Sequence, residues 1–145
     1  MTKLKIGYTT GVFDLFHIGH LNILKRAKEH CDYLVVGVTT DEEVKRVKNK
    51  KPIICFDERK EIIGSIKYVD QVVAEHDTDK LKAWESLRYN IIFKGDDWKG
   101  SPKWNKYEEE FSKLGVEVCY FPYTDGTSST ILREFIQKFN SADNK

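Results

Sequence analysis

The sequence predicts a doubly wound α/β domain: a Rossmann-like parallel sheet of about five strands with helices on both faces. Three observations predict it. Short β-branched runs alternate with amphipathic helical stretches along the chain. The run Tyr33-Leu-Val-Val-Gly-Val-Thr39 is apolar almost throughout, as in a strand covered on both sides. A length of 145 residues allows one domain and one core, which at this size buries roughly 68–70% of the surface of the unfolded chain.

Taken in order, Lys3–Thr9 reads as the first strand. Gly19–Glu29 follows as a helix, with Leu21, Leu24, Ala27 and Lys28 at helical spacing. Tyr33–Thr39 is the second strand. Thr40-Asp-Glu-Glu43 offers a capping box, Thr at the N-cap and Glu three residues on, that opens the next helix. Asp57–Ile66 is a helix with Ile62, Ile63 and Ile66 on one stripe, and Asp70–Ala74 a strand. A helix over Asp79–Arg88, a strand over Asn90–Lys94, a helix over Lys103–Leu114 and a strand over Val116–Phe121 continue the alternation. Ser129–Phe139 closes it as a helix. Residues 1–139 form a single domain on this reading, and residues 140–145 a flexible tail.

Composition removes several function classes. Twenty-four Lys and Arg against 23 Asp and Glu leave a net charge of +1, so no global field draws the chain to nucleic acid or to a membrane surface. Cys31, Cys55 and Cys119 form no CxxC pair. That excludes a zinc-ribbon or disulfide framework and fits a reducing compartment. The start lacks the apolar core of a signal peptide, and no stretch approaches the ~20 apolar residues of a membrane span. A cytoplasmic, soluble protein is the expectation.

Ligands of such sheets bind beyond the carboxyl ends of the strands, and three clusters lie there. The first is Thr9-Thr-Gly-Val-Phe-Asp-Leu-Phe-His17-Ile-Gly-His20. Gly11 permits a sharp turn and close backbone approach, and the helix that follows presents free N–H groups to an anion. His17 and His20, three apart, share one face; Gly19 between them leaves room for a phosphate. Two donors beside a helix N-terminus suit a triphosphate and the charge that develops on it during transfer. No third ligand accompanies the pair, so no metal site is expected. Neither GxGxxG nor a P-loop is present: Gly95-Asp-Asp-Trp-Lys-Gly100-Ser lacks the Lys after its second Gly. The second cluster, Lys45-Arg-Val-Lys-Asn-Lys-Lys51 before Pro52, complements a helix C-terminus at Lys45 and Arg46. Lys48, Lys50 and Lys51 exceed that need, and without interleaved aromatics they point to small-molecule phosphates rather than nucleic acid. The third cluster joins Gly95-Asp-Asp-Trp98, which also reads as a tight turn, with Tyr123-Thr-Asp-Gly-Thr-Ser-Ser-Thr130. A Gly turn followed by hydroxyls at a helix N-terminus makes a phosphate cradle. Trp98 is open between pocket wall and core.

These residues resemble the HxGH nucleotidyltransferase superfamily and, within it, the small glycerol-3-phosphate cytidylyltransferases. The likeness runs from Ile6 to about Phe139, through Gly11-Val-Phe-Asp-Leu-Phe-His-Ile-Gly-His20, Tyr33-Leu-Val-Val, Thr40-Asp-Glu42, Tyr68-Val-Asp70, Gly95-Asp-Asp-Trp98 and Thr124-Asp-Gly-Thr-Ser-Ser129. The His pair carries the superfamily, and the Gly-Asp-Asp-Trp element points to cytidylyl transfer. The resemblance implies that CTP and a phosphorylated alcohol, glycerol-3-phosphate first among them, give a CDP-alcohol and pyrophosphate. Catalysis would fall to His17, His20 and Lys48. The nucleotide would meet Gly11, Val12, Phe13, Lys50, Asp97, Tyr123, Thr124, Gly126, Ser128 and Ser129 as well as the His pair. The acceptor would meet Asp14, Lys48 and Lys80, and Mg²⁺ would accompany the nucleotide phosphates. A homodimer supplying a wall or capsule polymer is also implied.

Two departures stand out. Tyr123 occupies the place of the arginine in the family's second signature, and Lys67 that of an arginine before Tyr68-Val-Asp70. Each removes a planar fork for phosphate, although Lys67 keeps the charge; Arg59 or Lys94 could compensate. The Asp-Gly-x-Ser-Ser-Thr form also resembles the heptose-phosphate adenylyltransferase branch. An adenylyl transfer and a catalytically silent nucleotide-binding protein are the rival readings.

Overall fold

The computed structural model describes residues 4–122 and 129–143. Its elements are β1 (Ile6–Gly11), α1 (Ile18–Glu29), β2 (Tyr33–Thr39), α2 (Asp41–Lys48), α3 (Phe56–Gly64), β3 (Gln71–Glu75), α4 (Lys80–Leu87), β4 (Ile91–Gly95), α5 (Pro102–Lys113), β5 (Glu117–Phe121) and α6 (Ser129–Asp143), with a 3-10 turn at Asp96–Trp98. The strands form one parallel sheet in the order β3-β2-β1-β4-β5, the α/β Rossmann-like arrangement the alternation predicts.

Period-2 alternation along the strands sorts the core into two layers. Leu34, Val36 and Val38 of β2 face one side, with Ile91 and Phe93 of β4, against Leu24 and Ala27 of α1 and Ile63 of α3. Val35 and Ile92 point the other way, into a layer of Tyr8, Tyr89, Trp104, Tyr107 and Phe111 built on α5 and completed by Leu81 and Trp84 of α4. Every residue of β2 after Tyr33 is buried, which is why its sequence is almost wholly apolar.

Boundaries differ from expectation where hydrogen bonds decide them. β1 lies later than Lys3–Thr9 because its register with β2 runs from Ile6 opposite Tyr33 to Gly11 opposite Val38; the strand therefore enters the first motif. Thr40 caps α2 by accepting from the Glu43 N–H at 3.2 Å. Glu43 does not complete the box: its carboxylate takes Arg46 at 2.6 and 2.7 Å and the Thr78 N–H at 2.7 Å. α5 starts at Pro102, whose fixed φ suits a first helical turn, behind a Ser101 side chain that accepts from the Trp104 N–H. α6 runs past Phe139 to Asp143, into the stretch expected to be tail.

Among the described residues no helix is long and apolar enough to cross a membrane. β1 and β4 are neighbours although the strand order reverses between them. A topological switch point thus lies at their carboxyl ends, and the first two clusters and Gly95–Trp98 of the third converge there.

Candidate active site

A cleft of about 1040 Å³ opens at the switch point, at the upper end of the ~300–1,000 Å³ usual for ligand sites. β1 and the loop after it contribute Gly11, Val12, Phe13 and Asp14; α1 contributes His17, Gly19 and His20. Lys48, Lys50 and Lys51 form one wall. Lys94, Gly95, Asp97 and Trp98 form another, and Arg133 of α6 lines the cleft as well. Trp98 is 43% exposed and belongs to the wall, which resolves the alternative left open for it.

The turn after β1 is strained, and not at its glycine. Phe13 (φ 54°) and Leu15 (φ 52°) hold the left-handed conformation, which costs a bulky side chain about 1–3 kcal/mol. Gly11 serves packing instead: a Cβ there would meet the Phe13 ring at 3.0 Å. The Phe13 side chain is anchored in the first core layer, and that burial offsets the strain.

The two histidines cap their own helix. His17 Nδ1 accepts the Gly19 N–H at 3.0 Å, and His20 Nδ1 accepts the His17 N–H at 3.3 Å. This is a capping box in which imidazoles replace the usual hydroxyl and carboxylate. With both Nδ1 atoms acting as acceptors, the proton of each neutral ring sits on Nε2. The rings lie 3.9 Å apart, and His20 is wedged between Phe13 and Phe16 at 5.4 Å from each. Burial lowers the pKa of His17. Burial, then repulsion from His17, hold His20 down to about 4 against a weaker pull from Asp14. At neutral pH the pair consists of two uncharged donors.

Asp14 lines the cleft and is bonded on several sides. It is 3% exposed; its Oδ2 accepts from the Ile53 N–H and its Oδ1 from the Ile54 N–H, each at 2.8 Å. Oδ2 also pairs with the Arg133 guanidinium. The carboxylate thus ties the lysine loop and α6 to the turn after β1, a positioning task that the sequence does not show. Lys80 is a correction. It is buried under the sheet, its Nζ 2.7 Å from Glu75 and 2.9 Å from Thr10 Oγ1, and it does not line the cleft.

Lys48 ends α2 over an Asn49 in the left-handed conformation (φ 56°). Desolvation, then Lys50 and Arg133, lower its pKa, and Asp14 opposes them. Asp97 stands at the rim, folded back so that a Cβ on Gly95 would meet its Oδ1 at 2.6 Å. Arg59, offered as a substitute for the missing arginine, is 1% exposed. Its guanidinium donates to the carbonyls of Ile54, Val12 and Thr39 and to Asp41, so it braces the loops beneath the cleft. Lys67 lies over the Tyr68 ring, outside the cleft. Tyr123, Thr124, Gly126 and Ser128 lie outside the described residues; Ser129 is described only as the start of α6. Arg133 was missed in the sequence. Its one signal there is a lone cation in the apolar run Ile131-Leu-Arg-Glu-Phe-Ile136.

Among the described residues no group of three or more His, Cys, Asp or Glu could hold a metal ion. A cation carried in on substrate phosphates needs no such cage.

Comparison with known proteins agrees with this architecture. Residues 8–135 match the family described as cytidylyltransferase-like. The glycerol-3-phosphate cytidylyltransferase of Bacillus subtilis (strain 168) is 40% identical over 135 residues, covering 88% of this chain and 94% of that protein. The bifunctional protein HldE of Helicobacter pylori (strain P12) is 34% identical over 95% of this chain but only 29% of its own length. Among solved structures, a lipopolysaccharide core biosynthesis protein from Thermoplasma volcanium GSS1 superposes with a TM-score of 0.71 at 30% identity, covering 86% of this chain and all of that one. With the match spanning most of its length, the chain belongs to the cytidylyltransferase-like family.

Proposed function

We propose that this protein transfers the cytidylyl group of CTP to glycerol-3-phosphate. An oxygen of the acceptor phosphate attacks the α-phosphorus, the bond from that phosphorus to the bridging oxygen breaks, and CDP-glycerol and pyrophosphate leave. The observation that carries the reading is the self-capped His17–His20 pair in the switch-point cleft, in a chain 40% identical to a protein named for this reaction.

Phosphoryl transfer of this kind relies on positioning and charge stabilisation more than on covalent help. The two Nε2–H groups are fixed before substrate arrives and face charge that grows on the α-phosphate, so little reorganisation is needed in the transition state. Uncharged imidazoles also avoid binding the ground-state triphosphate more tightly than the transition state. Lys48 bridges acceptor and nucleotide, Lys50 holds the triphosphate, Asp97 meets the nucleoside and the 123–130 segment cradles phosphate. Mg²⁺ on the triphosphate would neutralise its charge and that of the departing pyrophosphate. The protein acts in the cytoplasm as a homodimer, and its product feeds a wall or capsule polymer.

The test is Mg²⁺-dependent pyrophosphate release from CTP and glycerol-3-phosphate, with ATP in parallel. Release with CTP supports the reading. Release with ATP alone moves the protein to adenylyl transfer, and silence with both, across a panel of phosphorylated alcohols, refutes transfer.

A further inference from the structure

The signature arginine is absent at position 123, yet the cleft wall at the end of β4 is not without charge. Lys94 is the penultimate residue of β4, opposite Tyr120 in the register with β5, which ends two residues before Tyr123. It lines the cleft. Its ammonium sits 4.9 Å from the Trp98 ring centroid and 5.8 Å from that of Trp104. Among the described residues no carboxylate pairs with it and no acceptor takes a hydrogen bond from it; the two indole faces are what the structure gives it.

That arrangement is costly to the empty protein. A mostly buried cation without a counter-ion is unfavourable, and cation–π contacts recover only part of the loss. Burial, then Lys80 below it, push the Lys94 pKa down to about 8; Glu75 and Asp97 pull it up less strongly, and Lys103 adds to the depression. An arriving phosphate would supply the missing counter-charge. Three other cations are committed elsewhere: Arg59 to three carbonyls and Asp41, Arg133 to Asp14 and Lys80 to Glu75.

We propose that Lys94 contacts a substrate phosphate in the cleft that Lys48 and Lys50 also line, and supplies the positive charge that Tyr123 does not. The assignment rests on the nucleotidyl transfer proposed above, but it is testable by binding alone. The phosphate is either the nucleotide's or the acceptor's, and the probes separate these sources.

Calorimetric titrations with pyrophosphate, CTP and glycerol-3-phosphate would compare the wild type with Lys94→Met, an apolar side chain of similar length, and Lys94→Arg. The expected result is binding at least tenfold weaker in Lys94→Met and within threefold of wild type in Lys94→Arg. Loss confined to pyrophosphate and CTP assigns the nucleotide, and loss confined to glycerol-3-phosphate assigns the acceptor. Affinities within twofold for all three probes, in a Lys94→Met protein that unfolds like the wild type, overturn the proposal. Should Lys94→Met not fold, the wild type and Lys94→Arg are titrated from pH 6.5 to 9.5. Wild-type affinity should fall relative to Lys94→Arg as pH rises through about 8; parallel profiles overturn the proposal. A wild type that binds the probes but releases no pyrophosphate refutes transfer and leaves Lys94 tested. A wild type that binds none of them removes both.

Discussion

Replacing Asp14 by Asn would separate a positioning carboxylate from a substrate-binding one. The side chain is 3% exposed, accepts two backbone N–H bonds at 2.8 Å, and pairs with Arg133. Asparagine offers one acceptor oxygen where the carboxylate has two, and turns an NH₂ toward a donor. One backbone N–H is left facing another donor, at about 1–3 kcal/mol, and a half-buried guanidinium loses its partner. Breaking a buried pair costs about 3–5 kcal/mol in total. Arg133 is more exposed than Asp14, which favours the lower end, about 3 kcal/mol. That is a large fraction of the ~5–15 kcal/mol typical of a domain, and at ~2–4 °C per kcal/mol it lowers Tm by roughly 6–12 °C. Urea unfolding should show the midpoint falling with the slope unchanged. At low temperature, where the variant is folded, KM for both substrates should rise together because the loop carrying Lys50 and Lys51 is no longer pinned. A variant with wild-type Tm and a raised KM for the acceptor alone would refute the positioning role and restore the acceptor contact.

Other outcomes follow from the same geometry. His17→Ala should lower turnover by roughly 10²–10³-fold, the cost of one preorganised donor, and lose about 1 kcal/mol of stability with the cap. His17→Asn should regain the stability in urea but not the turnover. His20 titrates near 6.5 in the unfolded chain and near 4 in the folded one, so the unfolded state binds the extra proton between those values. Stability should therefore fall as pH drops from 6.5 toward 4, and this contribution should vanish in His20→Asn. Lys80→Met should strand Glu75 and lower the unfolding midpoint, while KM for glycerol-3-phosphate stays within twofold of wild type in steady-state assays.

The strands were readable because burial on both faces writes itself into composition: Tyr33–Thr39 has to be apolar. The histidine motif was readable because its parts lie within a few residues and its geometry is that of a helix start. What the sequence did not disclose depends on distance. Asp14 and Arg133 are 119 residues apart, and nothing local distinguishes a carboxylate that holds a loop from one that binds an acceptor. Lys80 carries no mark of the burial that ties it to Glu75. Glycine usually signals the turn itself, whereas here Phe13 and Leu15 take the left-handed backbone and Gly11 makes room for a ring. Arg59 and Lys94 were equal candidates in sequence. Only folding separates them, one enclosed by carbonyls and the other open to the cleft.

The capping of α1 by its own histidines has a consequence for descent. Reactive groups that depend on remote partners for their tautomer change whenever those partners change. Here the tautomer is dictated within four consecutive residues, so a substitution in the cleft walls leaves it unchanged. On the transfer proposed above, walls that meet the base and the acceptor would change over descent without retuning the two donors.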